Sequence, residues 1–208
     1  MKLVAATGNQ NKIRELTTVA KEFGVEIIDP LRLSESLGSL PPVVEEVGQS
    51  YLENAWLKAS AYSTWSGLDA LGDDSGLEVV ALGGAPGLHS SRYAGPGSSD
   101  HQKIAKLLFE LEAKEATDVT LGRQAFFRCA LATVSPDGSR RYCAESKLHG
   151  EILRQTRGQA GFGYDQIVFI PEIGATLAEL SFQDVCAKGF RGLALRKLLA
   201  QMVGAYDA

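Results

Sequence analysis

The sequence predicts an α/β protein on three observations: strand-like and helical patterns alternate along the chain, the N-terminus reads as a β-α-β unit, and 45% hydrophobic content over 208 residues suffices for one substantial core or two intimate lobes. Lys2-Leu3-Val4-Ala5-Ala6 reads as a buried strand that runs into Thr7-Gly8-Asn9-Gln10-Asn11-Lys12. Ile13, Leu16, Ala20 and Phe23 then recur at helical spacing over 11–23, and Gly24 ends that helix before the strand-like Val25-Glu26-Ile27-Ile28. Residues 30–48 are rich in Ser, Gly and Pro and read as a loop ending in Val43-Val44-Glu45-Glu46. A helix is predicted over 49–65, with Leu52, Trp56, Ala59 and Ser63 on one face and Asn54 and Lys58 on the opposite one.

Residues 69–72 and 77–80 read as two short strands, with Gly76 supplying the freedom to turn between them. A glycine-rich connection over 82–98 leads to a helix over 99–111. Pro136-Asp137-Gly138-Ser139 is a hairpin turn between strands at 126–134 and 140–146, and with strands near 149–153 and 166–170 this hairpin is expected to build a second lobe. A helix over 191–202 closes the chain. No repeat, low-complexity tract or linker divides it, so a single domain over 1–208 is expected.

Composition excludes several classes. A net charge of −4 argues against binding a nucleic-acid polymer, whose phosphates are engaged by basic surfaces. No apolar run reaches membrane-spanning length and no secretory signal precedes the first strand, so the expectation is a cytoplasmic protein with no membrane partner. Cys129, Cys143 and Cys186 lack the paired spacing of a disulfide framework or a zinc site. His89, His101 and His149 lack metal-like or triad spacing, and no Ser-His-Asp or Cys-His constellation is present.

Three elements carry chemistry. Asp73-Asp74-Ser75-Gly76 reads either as an ordinary turn or as a rim that holds a hard cation, since Mg²⁺ takes oxygen ligands from one or two carboxylates plus substrate phosphates. The strand, turn and helix at 2–12 read either as a plain helix cap or as an anion site. In the second case the helix-start N–H groups and positive dipole end are joined by donors from Thr7, Asn9 and Lys12, although the paired glycines of the Walker pattern are missing. Gly161-Phe162-Gly163-Tyr164-Asp165 reads either as an aromatic loop packed on the hairpin or as a docking segment for a base or sugar, with Phe162 as stacking face and Asp165 as acceptor.

Thr7-Gly8-Asn9-x-x-Lys12, Glu45-Glu46, Glu53-Asn54-Ala55-x-x-Lys58-Ala59, Asp73-Asp74-Ser75-Gly76-Leu77, Gly83-Gly84-Ala85-Pro86-Gly87, Ser91-Arg92-Tyr93 and Gly161-Phe162-Gly163-Tyr164-Asp165 occur in the order seen in the inosine triphosphate pyrophosphatase family. The chain resembles that family over nearly its whole length. The resemblance implies an elongated α/β fold with a long mixed sheet and two lobes flanking a central cleft, usually a homodimer. It implies Mg²⁺-dependent hydrolysis of ITP, dITP and XTP to the monophosphate and pyrophosphate, as a house-cleaning activity. It also places Lys58 in the phosphate site and Phe162, Gly163, Tyr164 and Asp165 in the nucleoside pocket.

Water attack on a phosphoryl group needs charge neutralisation and positioning more than covalent catalysis. On this reading Thr7, Gly8, Asn9, Lys12, Lys58 and Ser75 hold phosphate, Glu45, Asp74 and Asp73 hold the metal, and Asp74 activates water, with Asp73 and Glu46 as second choices. The C-terminal segment departs from the family. A lysine is expected after Ala178-Glu179-Leu180 and Ser-His-Arg at the last helix, as base contacts; here Val185 and Gly189-Phe190-Arg191 stand there, with Lys188 three positions late. Phe190 and Arg191 are then the candidate base contacts, and selectivity is the property most exposed to change. The alternative class is a nucleotide-binding or sensing protein of the same fold with altered base selectivity and weak turnover.

Overall fold

The computed structural model describes residues 1–118, 120 and 122–206. Seven strands, β1 (Lys2–Ala5), β2 (Glu26–Ile28), β3 (Ala70–Val79), β4 (Gln124–Val134), β5 (Arg141–Ile152), β6 (Val168–Ile170) and β7 (Ala175–Thr176), form one mixed sheet in the order β2-β1-β3-β4-β5-β6-β7. The first βαβ unit is parallel, with Leu3 opposite Ile27 and Val4 opposite both Ile28 and Ala70, while β5-β6 and β6-β7 are antiparallel. Among the described residues six α-helices accompany the strands: α1 (Gln10–Ala20), α2 (Pro30–Leu37), α3 (Tyr51–Ser66), α4 (Asp100–Thr117), α5 (Phe182–Lys188) and α6 (Phe190–Tyr206). Among the described residues no helix is long and apolar enough to cross a membrane.

The chain divides into two compact units. Unit 1 comprises Met1–Asp74, Cys129–Ser146 and the segment from Arg191 onward; unit 2 comprises Ser75–Arg128 and Lys147–Phe190. In unit 1, Val4, Ala6, Tyr62 and Ala70 are buried together, with Ile28, Leu33, Val44, Trp65 and Leu68 packed against them. In unit 2, the buried apolar set includes Leu77, Val79, Ile104, Leu107, Leu111, Phe127, Leu148, Ile167 and Ile170.

Several expectations are corrected. The 69–80 region is one ten-residue strand and not two strands around a turn, because the carboxylates in its middle find partners and do not need solvent. Gly76 keeps a negative φ, and the glycine that matters is Gly72, where a Cβ would lie 2.0 Å from the Ala55 carbonyl oxygen. That close approach seats β3 directly on α3. Residues 30–37 form α2 and not a loop: Asp29 caps it by accepting from Leu31 N–H, Pro30 occupies its first turn and Gly38 ends it in the left-handed region. On α3 the buried face is Tyr51, Asn54, Ala55, Ala59, Tyr62 and Ser63, so Asn54 faces inward. The strand expected near 149–153 is the end of β5, and the hairpin turn at 136–139 belongs to unit 1.

Candidate active site

Successive side chains of a strand point to opposite faces, and this sends the two neighbouring carboxylates of β3 into two different clusters. Asp73 Oδ1 accepts from Lys12 Nζ at 2.5 Å, and its Oδ2 accepts from Arg191 Nε at 2.6 Å. Arg191 Nη1 donates in turn to Glu15 Oε2 at 2.9 Å. The centre of this set is buried, with the side chains of Asp73 and Arg191 0% and 2% exposed, while Lys12 is half-buried. Burial alone would raise the Asp73 pKa, but the charges and hydrogen bonds of Arg191 and Lys12 outweigh it and hold the carboxyl well below its ordinary value.

Asp74 faces α3. Its Oδ1 accepts from Lys58 Nζ at 2.7 Å and its Oδ2 from Asn54 Nδ2 at 3.2 Å. Lys58 Nζ also reaches Glu46 Oε1 at 2.6 Å and the Asp73 carbonyl oxygen at 3.0 Å. Asn54 Oδ1 accepts from Gly48 N–H at 2.8 Å and so ties the segment carrying Glu45 and Glu46 to the helix. Burial lowers the pKa of Lys58, yet the two carboxylates more than compensate and raise it above its ordinary value. Asp74 moves upward chiefly through burial, against the pull of Lys58 and helped by Glu46, since two acids share one ammonium. A buried carboxylate with a raised pKa is a stronger base.

Among the described residues no group of three or more His, Cys, Asp and Glu converges as a metal cage. Asp73 does not join Asp74 in one ligand set, because its oxygens serve Lys12 and Arg191 on the other face. Glu46 and Asp74 do converge, on a cation, and Glu45 lies exposed beside Glu46. Hard oxygen donors from two carboxylates suit a divalent ion that completes its shell with water and substrate phosphate.

The turn at 7–12 is a capped helix start. Thr7 Oγ1 accepts from Asn9 N–H at 3.1 Å, and Asn9 Oδ1 accepts from Asn11 and Lys12 N–H at 3.0 and 3.4 Å. Gly8 is exposed, its φ is not left-handed, and a Cβ there would meet nothing within 4 Å.

In unit 2, Ser75 and Phe162 are half-buried, whereas Tyr164 and Asp165 are buried and bind main chain. Asp165 Oδ2 accepts from Phe162 N–H at 2.9 Å, Tyr164 donates to the Ser90 carbonyl at 3.1 Å, and Gly163 N–H donates to Asp100 Oδ2 at 2.7 Å. The Phe190 ring stacks on Phe127, centroids 4.7 Å apart, and Lys188 pairs with Asp184 at 3.2 Å. Arg191, expected as a base contact, is instead the buried partner of Asp73 and Glu15 in unit 1.

The Ham1 family model matches residues 3–201. The chain belongs to the Ham1 family. Relatives in this family include the "dITP/XTP pyrophosphatase" of Pectobacterium atrosepticum, 43% identical over 95% of this chain and 96% of that one, and the protein of the same name from Geobacter sulfurreducens, 44% identical over 95% and 94%. A solved Ham1 protein from Coxiella burnetii superposes with a TM-score of 0.84 at 35% identity, covering 98% of this chain and 99% of that one. For this Ham1 chain, sequence reasoning missed Glu15 and Asn54. Asn54 shares the face of Lys58, four residues on, and Glu15 stands three residues after Lys12 on one helix, so both carried a local spacing signal; the partner Arg191 of Glu15 carried none.

Proposed function

We propose that this Ham1-family chain hydrolyses non-canonical purine nucleoside triphosphates, ITP, dITP and XTP, to the monophosphate and pyrophosphate, clearing them from the nucleotide pool. The observation that carries this reading is Lys58 held between Glu46 and Asp74, with Asn54 fixing Asp74, in a chain whose relatives carry pyrophosphatase names. Lys12, Lys58 and the N–H groups at the start of α1 neutralise the triphosphate, joined by Thr7 and Asn9, while the phosphate role of Ser75 rests on the sequence resemblance. Gly8 is compatible with this: it is exposed and the space beside its Cα is open, so a ligand can approach the backbone closely there.

Asp74, Glu46 and Glu45 are the residues that would hold a divalent ion, which we take to be Mg²⁺; when bound it neutralises developing charge on the phosphate oxygens. Water attacks the α-phosphorus, the α–β phosphoanhydride breaks, pyrophosphate leaves, and Asp74 takes the proton from water. Asp73 has the separate task of holding Lys12. The nucleoside roles of Phe162, Gly163, Tyr164, Asp165 and Phe190 rest on the sequence resemblance, as do the homodimer and the cytoplasmic location. The near-full-length match to relatives supports one pyrophosphatase domain over residues 1–208.

Base selectivity is reduced in this reading. Val185 offers no polar group, Phe190 is stacked on Phe127, and Arg191 is committed to two carboxylates. Discrimination of about 10⁴ needs polar site groups that go unpaired with the wrong base. The test is pyrophosphate release from ITP, dITP, XTP, ATP and GTP with and without Mg²⁺. We expect Mg²⁺-dependent release with ITP favoured over ATP by less than about 10⁴ in kcat/KM. Tight binding of these nucleotides with no pyrophosphate released would mean a sensor and not an enzyme.

A further inference from the structure

Helix α1 buries Ile13, Leu16, Val19 and Ala20 on its inner face, and one more residue with them: Glu15, 7% exposed. A carboxylate in an apolar stripe needs a reason, because replacing a buried ion pair with well-packed apolar side chains is often neutral or favourable for stability. Its partner is Arg191 on α6, which is itself buried and also grips Asp73 on β3, which grips Lys12. Lys12 and Glu15 are three residues apart on one helix, where opposite charges ordinarily pair directly. Here Asp73 and Arg191 stand between them, and the four charges alternate in sign around a ring that leaves α1 at Lys12 and returns to it at Glu15.

We propose that Glu15 is a positioning residue for Lys12, acting through Arg191 and Asp73; the proposal rests on the reading of Lys12 as a phosphate-binding group. By taking one edge of the Arg191 guanidinium, Glu15 draws off part of its charge and leaves Asp73 Oδ1 to Lys12. Without that carboxylate, the full charge of a planar fork that can engage a carboxylate with two N–H groups bears on Asp73. Asp73 then releases Lys12, and the ammonium no longer waits at the start of α1.

The test is a cycle of wild type, Glu15→Gln, Lys12→Ala and the double variant. It measures kcat and KM for Mg²⁺-dependent pyrophosphate release from ITP, with thermal melting read separately. We expect Glu15→Gln to lower kcat/KM about tenfold, mainly through KM, and to have almost no effect once Lys12 is already alanine. A folded Glu15→Gln protein with unchanged kcat/KM overturns the proposal, as does an equal loss in both backgrounds. Should Glu15→Gln fail to fold, Glu15→Asp keeps the charge, withdraws the reach by one methylene, and is put through the same cycle. Lys12→Ala with normal kcat/KM would instead overturn the phosphate reading itself, in an arm that does not involve Glu15.

Discussion

The two units use charge in different ways. In unit 1, Glu15, Asp73, Asp74 and Arg191 are all at most 7% exposed and bind each other or lysines. In unit 2, the ion pairs Arg154–Glu115 and Arg157–Glu179 have arginines 68% and 48% exposed, Lys103 pairs with a solvent-facing Asp100, and the buried Asp165 and Tyr164 bind backbone, Asp165 at Phe162 N–H and Tyr164 at the Ser90 carbonyl. Fixing a loop needs single hydrogen bonds to main chain. Poising ammonium and carboxylate groups for phosphate and water needs mutual charge out of solvent, where such interactions are screened least. The concentration of buried charge in unit 1 is therefore the feature that points to chemistry, while unit 2 spends its polar groups on shape.

The largest effect is expected at Asp74. Asp74→Asn keeps the shape but has one accepting oxygen for the two donors Lys58 and Asn54 and loses the charge and the proton acceptor, so kcat should fall by about 10²–10⁴ in a protein that still folds. Near-normal pyrophosphate release from the variant would assign water activation to another group.

Arg191→Met should act on stability as much as on activity. It leaves Glu15 and Asp73 without their guanidinium in a dry site, a loss of about 3–5 kcal/mol in urea unfolding. The same series run at falling pH sharpens the point. In the wild type the Asp73 pKa lies below its ordinary 3.8, so its contribution is fully present above 3.8 and is lost as pH falls through the lower, folded-state value. In Arg191→Met, burial is opposed by Lys12 without that help, and this acid-side loss should shrink. Parallel curves for the two proteins would remove Arg191 as the cause of the shift.

Lys12→Ala should weaken ITP and ATP alike, by roughly ten- to a hundredfold in kcat/KM, as expected for one charged hydrogen bond to a group both substrates share. A changed ranking of the two bases would move Lys12 away from phosphate. The smallest effect belongs to unit 2: Glu115→Gln weakens a half-buried pair with Arg123 and a solvent-facing one with Arg154 but keeps one accepting oxygen, and should lower the melting temperature only slightly and leave kcat/KM within error. A clear loss there would erase the contrast between the units.

Most elements were legible because their signals are local. Gly24 after α1, Asp29-Pro30 before α2 and Pro136-Asp137-Gly138-Ser139 between β4 and β5 each act within a few residues, and at α2 the cap prevails over the loop-like composition of 30–48. The site was legible as a set of residue types: Lys12, Lys58, Asp73, Asp74 and the Glu45-Glu46 pair could be named from the chain alone. Their division was not. Strand period sends Asp73 and Asp74 apart, but only if 70–79 is one strand, and that depends on Gly72 lying against the Ala55 carbonyl and on cations from α1, α3 and α6 reaching the carboxylates. Asp73 meets Arg191 across 118 positions of sequence, and Glu15 meets it across 176. No periodicity or motif reaches that far. Sequence by itself determined the strand and helix signals and the chemistry available; tertiary structure decided which charges are dry and which partners they share, because burial and pairing belong to the packed fold and not to any segment of it.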